Sequence, residues 1–264
     1  DGLTMIAESG NRRIIEVDKD GKIVREVPLT VEKPSSHRDT RMVRKLANGN
    51  YLVCHEGDGK IREYEPSGKV VWTYVMELGG RPRSPGHGVE GHGNEVFGAV
   101  RLPNGNTLIG GGNNHSVLEV DRAGKIVWQV NQNDLHGITL AWITCVDRLP
   151  NGNTLIGNCH AGPENPQFIE VTRDKKVVWE YDAAKANPGK PVEVHAFQRV
   201  ENGLTMIAES GPARIIEVDR NGKVQREVKL QVDHPNAHSD TRRVRKIANG
   251  NYLVAHEADG RIRE

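Results

Sequence analysis

Histidine is the residue type in this sequence best suited to chemistry, because an imidazole can ligate a metal, transfer a proton or hydrogen-bond near neutral pH. The histidines recur at similar points of a repeated pattern. Five lie just before or at the start of a strand-forming run: His37, His92, His136, His195 and His238. Four lie near the end of the strand-forming run that follows: His55, His115, His160 and His256. This placement predicts a histidine-rich binding site contributed by several repeats.

Three interpretations of these histidines are open at the level of sequence. Each imidazole can be a structural group that hydrogen-bonds within its own repeat, since buried polar groups need partners. Several together can bind zinc, copper or iron, for which histidine nitrogens are common ligands. One can act as a general acid or base. Ligands drawn from separate repeats leave no local spacing motif, so the sequence does not choose among the three.

Charged groups accompany two of the histidines. The segment His37-Arg-Asp-Thr-Arg41 recurs as His238-Ser-Asp-Thr-Arg242. In one interpretation Asp39 orients the imidazole and Arg41 binds an anion. In the other, which we favour, the Asp-Thr pair caps the loop and Arg41 pairs with a neighbouring acid. Asp39 and Arg41 therefore join the candidate ligand-binding residues.

A basic residue stands three positions before each Asn-Gly turn in the repeats that have a strand there. These residues are Lys45, Arg101, Arg148, Arg199 and Lys246. A ring of cations can hold an anion. More often such a ring is paired with aspartate and glutamate at a solvated rim.

The repeated stretch itself predicts the elements that carry these residues. Arg101-Leu-Pro-Asn-Gly-Asn-Thr-Leu-Ile-Gly110 recurs closely at residues 148–157. Asn-Gly between apolar runs predicts a hairpin with a two-residue primed turn, which needs positive φ at both central residues. The turn asparagines, Asn48, Asn104, Asn151, Asn202 and Asn249, are spaced by 56, 47, 51 and 47 residues. Repeats of this length with short alternating strands are typical of a β-propeller.

We predict an all-β propeller of four-stranded antiparallel blades, most simply six, in a single domain spanning residues 1–264. The blade repeats are approximately 1–27, 40–74, 96–130, 143–181, 194–228 and 241–264. The first lacks its innermost strand and the last lacks its outermost, giving about 22 strands and an incomplete or composite seam. Unpaired sheet edges invite strand exchange. Self-association through these terminal blades is therefore expected.

The two ends of the chain also resemble each other. Residues 2–63 match residues 203–264 better than any other two blades match, and Gly2–Gly10 is identical to Gly203–Gly211. The offset of 201 residues corresponds to four blades. This similarity indicates a duplicated, permuted or truncated chain.

Composition narrows the function classes. The chain has 36 lysines and arginines against 35 aspartates and glutamates, and it has no long apolar run. We therefore expect no nucleic-acid partner and no membrane partner. The three cysteines, Cys54, Cys145 and Cys159, form neither a disulfide framework nor a Cys-x-x-Cys metal motif.

The outer strands carry a recurring tryptophan motif, Gly68-Lys-Val-Val-Trp72, Gly124-Lys-Ile-Val-Trp128 and Lys175-Lys-Val-Val-Trp179. With the Leu-Pro-Asn-Gly-Asn-Thr-Leu-Ile stretch, it resembles the PQQ-like, or quinoprotein-like, β-propeller repeat family. That resemblance implies indoles packed between blades and an extracytoplasmic location. The chain departs from the family at Arg25 and Arg226, which replace the tryptophan. It also lacks the adjacent cysteine pair of PQQ-dependent dehydrogenases, so we expect no quinone cofactor.

Topology places the histidines on one face of the predicted propeller. The start of the first strand of a blade and the end of the second lie on the same side, where the long connections between blades also open. We therefore predict a binding scaffold, without catalysis, whose channel mouth recognises a small molecule or protein. The alternative is a metal- or quinone-dependent oxidoreductase, or an arylsulfotransferase-like transferase, that uses the same face.

Overall fold

The computed structural model describes residues 2–264, and their regular structure is almost entirely β. The strands, in chain order, are β1 (Thr4–Glu8), β2 (Arg13–Val17), β3 (Ile23–Pro28), β4 (Met42–Lys45), β5 (Tyr51–His55), β6 (Lys60–Tyr64), β7 (Val70–Val75), β8 (Gly98–Arg101), β9 (Thr107–Gly110), β10 (Val117–Val120), β11 (Ile126–Val130), β12 (Ile143–Arg148), β13 (Thr154–Asn158), β14 (Phe168–Val171), β15 (Val177–Tyr181), β16 (Glu193–Arg199), β17 (Thr205–Ser210), β18 (Arg214–Val218), β19 (Val224–Lys229), β20 (Arg243–Lys246), β21 (Tyr252–His256) and β22 (Arg261–Arg263). One short helix, α1 (Ala183–Ala186), precedes β16.

The described strands form six antiparallel sheets, each with neighbours in chain order. Four sheets have four strands: β4 to β7, β8 to β11, β12 to β15 and β16 to β19. The first sheet, β1 to β3, and the last, β20 to β22, have three strands each. The predicted fold class, a six-bladed β-propeller, is confirmed, and so are the incomplete first and last blades. Self-association through those blades stays a prediction.

The chain packs as two compact units. The first unit holds the chain up to Gln132 together with Ala141–Val146, and the second holds Asn133–Leu140 and Asp147–Glu264. In each unit the middle strands of a sheet are the most buried. In β5, for example, all five side chains are buried. Along outer strands such as β7, more exposed and less exposed side chains alternate, and Val75 and Val178 face solvent. No helix within residues 2–264 is long and apolar enough to cross a membrane.

The Asn-Gly hairpins differ from the predicted primed turn. In the copy at Leu102, the Gly105 amide donates to the Leu102 carbonyl at 2.9 Å, and the Leu102 amide donates to the Asn106 carbonyl at 2.8 Å. Gly105 has φ of 87°, whereas Asn104 is not among the residues with positive φ. This is a three-residue loop, a type I turn followed by a left-handed glycine. The two-residue prediction is wrong, because Asn104 instead uses its side chain to accept from the Asn106 amide at 3.0 Å.

Buried glutamates tie neighbouring blades together. In the first unit Lys45 donates to Glu16 at 2.6 Å, and Arg101 donates to Glu63 at 2.8 Å. The second unit repeats the arrangement, since Arg199 donates to Glu170 at 2.7 Å and Lys246 to Glu217 at 2.5 Å. Four of the five basic residues before the turns are therefore paired with a buried carboxylate of the preceding blade. They do not form an open ring of cations.

Tryptophan docking joins the second and third blades of the first unit. The Trp72 indole nitrogen donates to the Arg122 carbonyl at 2.9 Å. The Arg101 guanidinium lies over the same indole, 4.7 Å from its centroid. Arg25 stands at the tryptophan position of the first blade and donates to Glu16 at 2.8 Å. In the first blade, an ion pair between Arg25 and Glu16 thus stands where the motif elsewhere has an indole.

Helix α1 was not predicted by the sequence pattern. Asp182 caps its first turn by accepting from the Lys185 amide at 2.8 Å. The Gln167 side chain accepts from the Ala183 amide at 2.6 Å. One helical turn of four residues has no periodicity to detect, and these side chains supply the missing acceptors at its start.

Candidate functional site

A polar cavity in the first unit brings together several predicted site residues. We call it the His92 pocket; its volume is about 540 Å³. It is lined by His37, Arg38, Arg41, Glu56, Arg83, Ser84, Pro85, Gly86, His87, His92, Glu95, Asn113 and Trp142. The glycine-rich connection after β7 forms one wall. That connection is held folded by paired backbone bonds between Ser84 and His92, both 3.0 Å long.

Three buried acceptors in the His92 pocket have no hydrogen-bond donor among residues 2–264. They are Nδ1 of His92, Oε2 of Glu95 and Oδ1 of Asn113. His92 is 3% exposed and donates from Nε2 to the Leu78 carbonyl at 2.9 Å. Because that carbonyl can only accept, the proton lies on Nε2 and Nδ1 presents a lone pair. A buried acceptor without a donor costs about 1–3 kcal/mol.

Two glycines allow Glu95 and Asn113 to approach each other. A Cβ at Gly93 would lie 3.1 Å from Nδ2 of Asn113 and would collide with the Glu95 carboxylate. A Cβ at Gly91 would lie 3.0 Å from Oδ1 of Asn113. The side chains of Glu95 and Asn113 therefore occupy the space that a side chain at position 91 or 93 would need.

Two of the three arginines that line the pocket are paired with acids. Arg83 donates to Glu95 at 3.0 Å, and Arg41 forms an ion pair with Glu56. Arg41 also donates to Nε2 of His37 at 2.7 Å, so His37 is an acceptor at that nitrogen. The sequence interpretation in which Arg41 pairs with a neighbouring acid matches this arrangement.

An aromatic shelf borders the same cavity. The rings of His87 and Trp142 stack with centroids 4.2 Å apart. Trp142 also meets Phe97 edge to face, at 6.1 Å. Trp142 has φ of 53°, a conformation that bulky residues rarely adopt. The structure thus holds this indole against the pocket at a cost in backbone strain.

Other predicted site residues of the first unit serve the fold. His55 is fully buried, donates from Nδ1 to the Asp39 carbonyl at 2.7 Å and accepts at Nε2 from Tyr64 at 2.8 Å. Burial lowers the pKa of His55 to about 4. His115 bonds the Gly91 carbonyl at 2.6 Å and accepts from the Trp142 amide at 3.0 Å. Asp39 accepts from the Ser35 amide, which closes its loop.

A second constellation lies in the second unit. We call it the His195 cluster, and its members are Cys159, Glu193, His195, His238 and Arg242. The Glu193 carboxylate lies 3.2 Å from Nε2 of His195 and 2.8 Å from Nδ1 of His238. Sγ of Cys159 lies 3.7 Å from Nδ1 of His195. His195 is 1% exposed, whereas Cys159 and Glu193 are half-buried.

Protonation in the His195 cluster follows from its contacts. Burial alone would raise the pKa of Glu193, but the hydrogen bonds from His195 and His238 outweigh it and lower that pKa to about 2. Burial lowers the pKa of His195 to about 4, so its imidazole is neutral at pH 7. Arg242, which can only donate, also contacts this ring, with an Nη atom 3.1 Å from Nε2 and 3.3 Å from Nδ1.

Two predicted histidines, His136 and His160, belong neither to the His92 pocket nor to the His195 cluster. His136 is exposed in a turn of the second unit. His160 is half-buried, and its ring centroid lies 6.5 Å from that of His238. The assignment of these residues to ligand binding stays a prediction.

Sequence reasoning missed several residues that the structure adds. In the His92 pocket these are Arg83, Glu95, Asn113 and Trp142, and in the His195 cluster they are Cys159, Glu193 and Arg242. Asn113 and Cys159 follow the ends of β9 and β13, so the rule that selected His55 applied to them as well. Glu193 is two residues from His195 on β16, a spacing that puts both on one face of a strand.

Cys159, Glu193 and His195 form the group of described residues best placed to ligate a metal. Their ligand atoms lie within 4.8 Å of one another. Thiolate, carboxylate and neutral imidazole are all zinc ligands. Against this, an Nη atom of Arg242 lies 3.1 Å from Nε2 and 3.3 Å from Nδ1 of His195, where its positive charge opposes a metal cation.

Several solved structures share the fold. A streptogramin B lyase matches with a TM-score of 0.63 and 14% identity, over 100% of this chain and 78% of the lyase. A catalytically inactive virginiamycin B lyase from Staphylococcus aureus, solved with quinupristin, matches with a TM-score of 0.61 and 13% identity, over 99% of this chain and 78% of that chain. At such identities the likeness shows the fold alone.

A protein of unknown function from Bacteroides caccae matches with a TM-score of 0.54 and 24% identity, over 67% of this chain. This chain covers 61% of that protein's length. No family model matches the sequence. No curated protein matches it either.

Proposed function

We propose that this chain is a ligand-binding β-propeller whose His92 pocket holds a small, neutral, polyhydroxylated molecule such as a sugar. The observation that carries the proposal is the set of three buried acceptors, on His92, Glu95 and Asn113, that lack a protein donor among residues 2–264. All three residues line the pocket, and a ligand with several hydroxyl groups offers donors to their side chains. Each bond formed offsets a desolvation cost already present in the folded chain.

The charge of the pocket supports a neutral ligand. Arg41 is paired with Glu56, and Arg83 with Glu95. These two cations therefore each have a carboxylate partner, and Arg38, the third arginine of the lining, is exposed. Neutral polar molecules are selected instead by the geometry of hydrogen bonds, because a buried group left unpaired by the wrong ligand is costly.

The shape of the pocket supports the same class. A volume of about 540 Å³ suits a ligand of one or two sugar rings. The stacked His87 and Trp142 rings offer a flat aromatic surface beside the acceptors. The negative face of an aromatic ring attracts the polarised C–H groups on one side of a sugar, while its hydroxyls reach the acceptors.

The finer family assignment belongs to this proposal. Trp72, Trp128 and Trp179 and the Leu-Pro-Asn-Gly stretches support a PQQ-like β-propeller. The sequence has no adjacent cysteine pair, which supports a binding role over a quinone-dependent oxidoreductase. The virginiamycin B lyase solved with quinupristin shows that this fold can also carry an enzyme that takes a small molecule.

The test is a binding measurement on matched variants. Isothermal titration of the purified chain with neutral mono- and disaccharides is expected to find a ligand. His92→Ala and Asn113→Ala should each weaken its binding by at least about tenfold, the loss of one buried hydrogen bond. His234→Ala, at an exposed histidine of the second unit, is the control and should leave affinity unchanged.

Two results would count against the proposal. One is binding that survives both pocket substitutions. The other is a preference for charged ligands, such as sugar phosphates, over their neutral parents.

A further inference from the structure

Another cavity lies in the second unit, beside β19, β21 and β22, and we call it the Tyr252 pocket. Its volume is about 500 Å³. Five of its lining side chains are apolar or aromatic: Ile215, Val228, Leu230, Tyr252 and Val254. The buried His256 also lines the cavity. A mostly apolar cavity with a few polar groups is the usual composition of a binding site.

The first unit holds the same set of side chains, and there they pack around a tyrosine. The counterparts 201 positions earlier are of the same residue types: Ile14, Val27, Leu29, Tyr51 and Val53. Together with Tyr64 they form one buried cluster, in which Tyr64 is fully buried. In the second unit Val228, Leu230 and Tyr252 are only half-buried. The Tyr252 pocket is therefore built from the residue types that hold a tyrosine side chain elsewhere in this chain.

His256 presents the hydrogen-bonding group that a tyrosine hydroxyl needs. Its side chain is 2% exposed, and Nδ1 donates to the Asp240 carbonyl at 2.6 Å. Because that carbonyl can only accept, the neutral ring has a lone pair on Nε2. The counterpart His55 makes the same bond to the Asp39 carbonyl, and its Nε2 accepts from the Tyr64 hydroxyl at 2.8 Å. Nε2 of His256 has no donor among residues 2–264. A phenolic hydroxyl supplies one.

The backbone beside the Tyr252 pocket can accept an added strand. In the first unit Tyr64 ends β6, and β7 pairs antiparallel along β6. The counterpart of β6 is β22, which within residues 2–264 pairs only with β21. A free edge binds an extended peptide through backbone hydrogen bonds, and pockets beside the edge select its side chains. We propose that an extended segment of a partner protein adds to β22 and places a tyrosine side chain in the Tyr252 pocket.

The charges of the pocket indicate what accompanies the tyrosine. One acid and three basic residues line the cavity: Glu264, Arg226, Lys229 and Arg263. Arg263 pairs with Asp233 at 2.9 Å, whereas Lys229 is exposed. A basic rim attracts an acidic segment. The partner segment thus carries an acidic residue beside its tyrosine, just as Glu65 follows Tyr64 in the first unit.

The experiment measures binding of a labelled synthetic peptide, with the sequence of residues 64–75, to the whole chain by fluorescence anisotropy. Tyr64→Phe in the peptide removes the phenolic donor and should weaken binding about fivefold. Tyr64→Ala also removes the ring and should weaken binding by at least about tenfold. Tyr74→Phe is the matched peptide control and should leave affinity unchanged, because Tyr74 belongs to a different cluster of the first unit.

Variants of the protein locate the site. Lys229→Glu should weaken peptide binding about threefold at low salt, and the change Glu65→Lys in the peptide should restore it. Lys223→Glu, at an exposed lysine that does not line the pocket, is the control. His256→Phe should abolish the preference for the tyrosine peptide over the Tyr64→Phe peptide. If His256→Phe does not fold, that preference in the unaltered protein decides the question without it.

Three results would overturn the proposal. One is equal binding of the unaltered peptide and its Tyr64→Phe and Tyr64→Ala variants. Another is binding of N-acetyltyrosinamide as tight as that of the peptide, since a free phenol would then be the occupant. The third is a dimer in light scattering that the peptide dissociates, since a second copy of the chain would then fill the site. None of these results bears on the His92 pocket, which lies in the other unit.

Discussion

Arg242 donates to Nε2 of His238 at 2.7 Å, and this bond fixes the orientation of the imidazole ring. Nδ1 of the same ring then faces the Glu193 carboxylate, 2.8 Å away. A histidine predicted from sequence as a binding residue thus has both ring nitrogens in contact with charged side chains of the protein.

The first unit repeats this relationship. Arg41 donates to Nε2 of His37, also at 2.7 Å, and pairs with Glu56 as Arg242 pairs with Glu257. The two copies of the His-x-Asp-Thr-Arg segment thus make the same contacts. What differs is the neighbouring strand: β16 adds His195 and Glu193 beside the second copy.

The buried glutamates between blades should matter for stability. Glu63 is 3% exposed and accepts from Arg101, Arg122 and Asn50. Glu63→Gln removes the charge that these donors share, and breaking a buried pair on one side costs about 3 kcal/mol. We expect the melting temperature to fall by roughly 5–10 °C in a thermal unfolding scan.

The control for Glu63 is an exposed pair. Glu26, half of whose side chain is exposed, pairs with Arg13 at 2.8 Å. Glu26→Gln should cost less than about 1 kcal/mol. Equal losses in the two variants would show that the inter-blade glutamates have no special role.

Stability should depend on pH through the buried histidines. Burial lowers the pKa of His55 from 6.5 to about 4, so the unfolded chain binds a proton between these values that the folded chain does not. Stability contributed by neutral His55 is complete above pH 6.5 and is lost as the pH falls toward 4, amounting to about 3 kcal/mol. Urea unfolding at pH 7.5 and pH 5 measures the difference.

His55→Gln provides the comparison for the pH effect. Its side chain does not titrate, so the fall in unfolding free energy between pH 7.5 and pH 5 should be smaller than in the unaltered protein. An identical fall in both would mean that His55 is protonated in the folded state as readily as in the unfolded one.

Trp72 and Trp179, two of the three tryptophans of the outer-strand motif, should respond differently to replacement by phenylalanine. The Trp72 indole N–H donates to Arg122, whereas the buried Trp179 N–H has no acceptor among residues 2–264. Trp72→Phe removes this exposed hydrogen bond and should cost about 0.5–1.5 kcal/mol, the net contribution of one such bond. Trp179→Phe loses ring area but removes an unsatisfied donor, so its cost should be near zero. Urea midpoints compare the two, and a costlier Trp179→Phe would contradict the assignment.

The sequence alone determined the blades. Antiparallel hairpins are made by residues close in the chain, so alternation, Asn-Gly turns and repeat spacing were enough to predict 22 strands and the incomplete first and last blades. The glutamates of the third strand of each blade, such as Glu63 and Glu170, share one repeat position with a basic partner in the next blade. That regularity follows from the repeat as well.

Tertiary structure decided which side chains are free to act. His55 and His92 look alike in sequence, yet Tyr64 and the Asp39 carbonyl occupy both nitrogens of His55, while Nδ1 of His92 has no donor among residues 2–264. Asp39 lies in a loop, whose conformation is set by packing and not by the strand period, and Tyr64 lies on a different strand, β6. Cys159 and His195 meet across 36 residues because a β-bulge turns one ring toward a loop of the neighbouring blade. No spacing in the sequence encodes that contact, since it depends on how two separately formed blades pack.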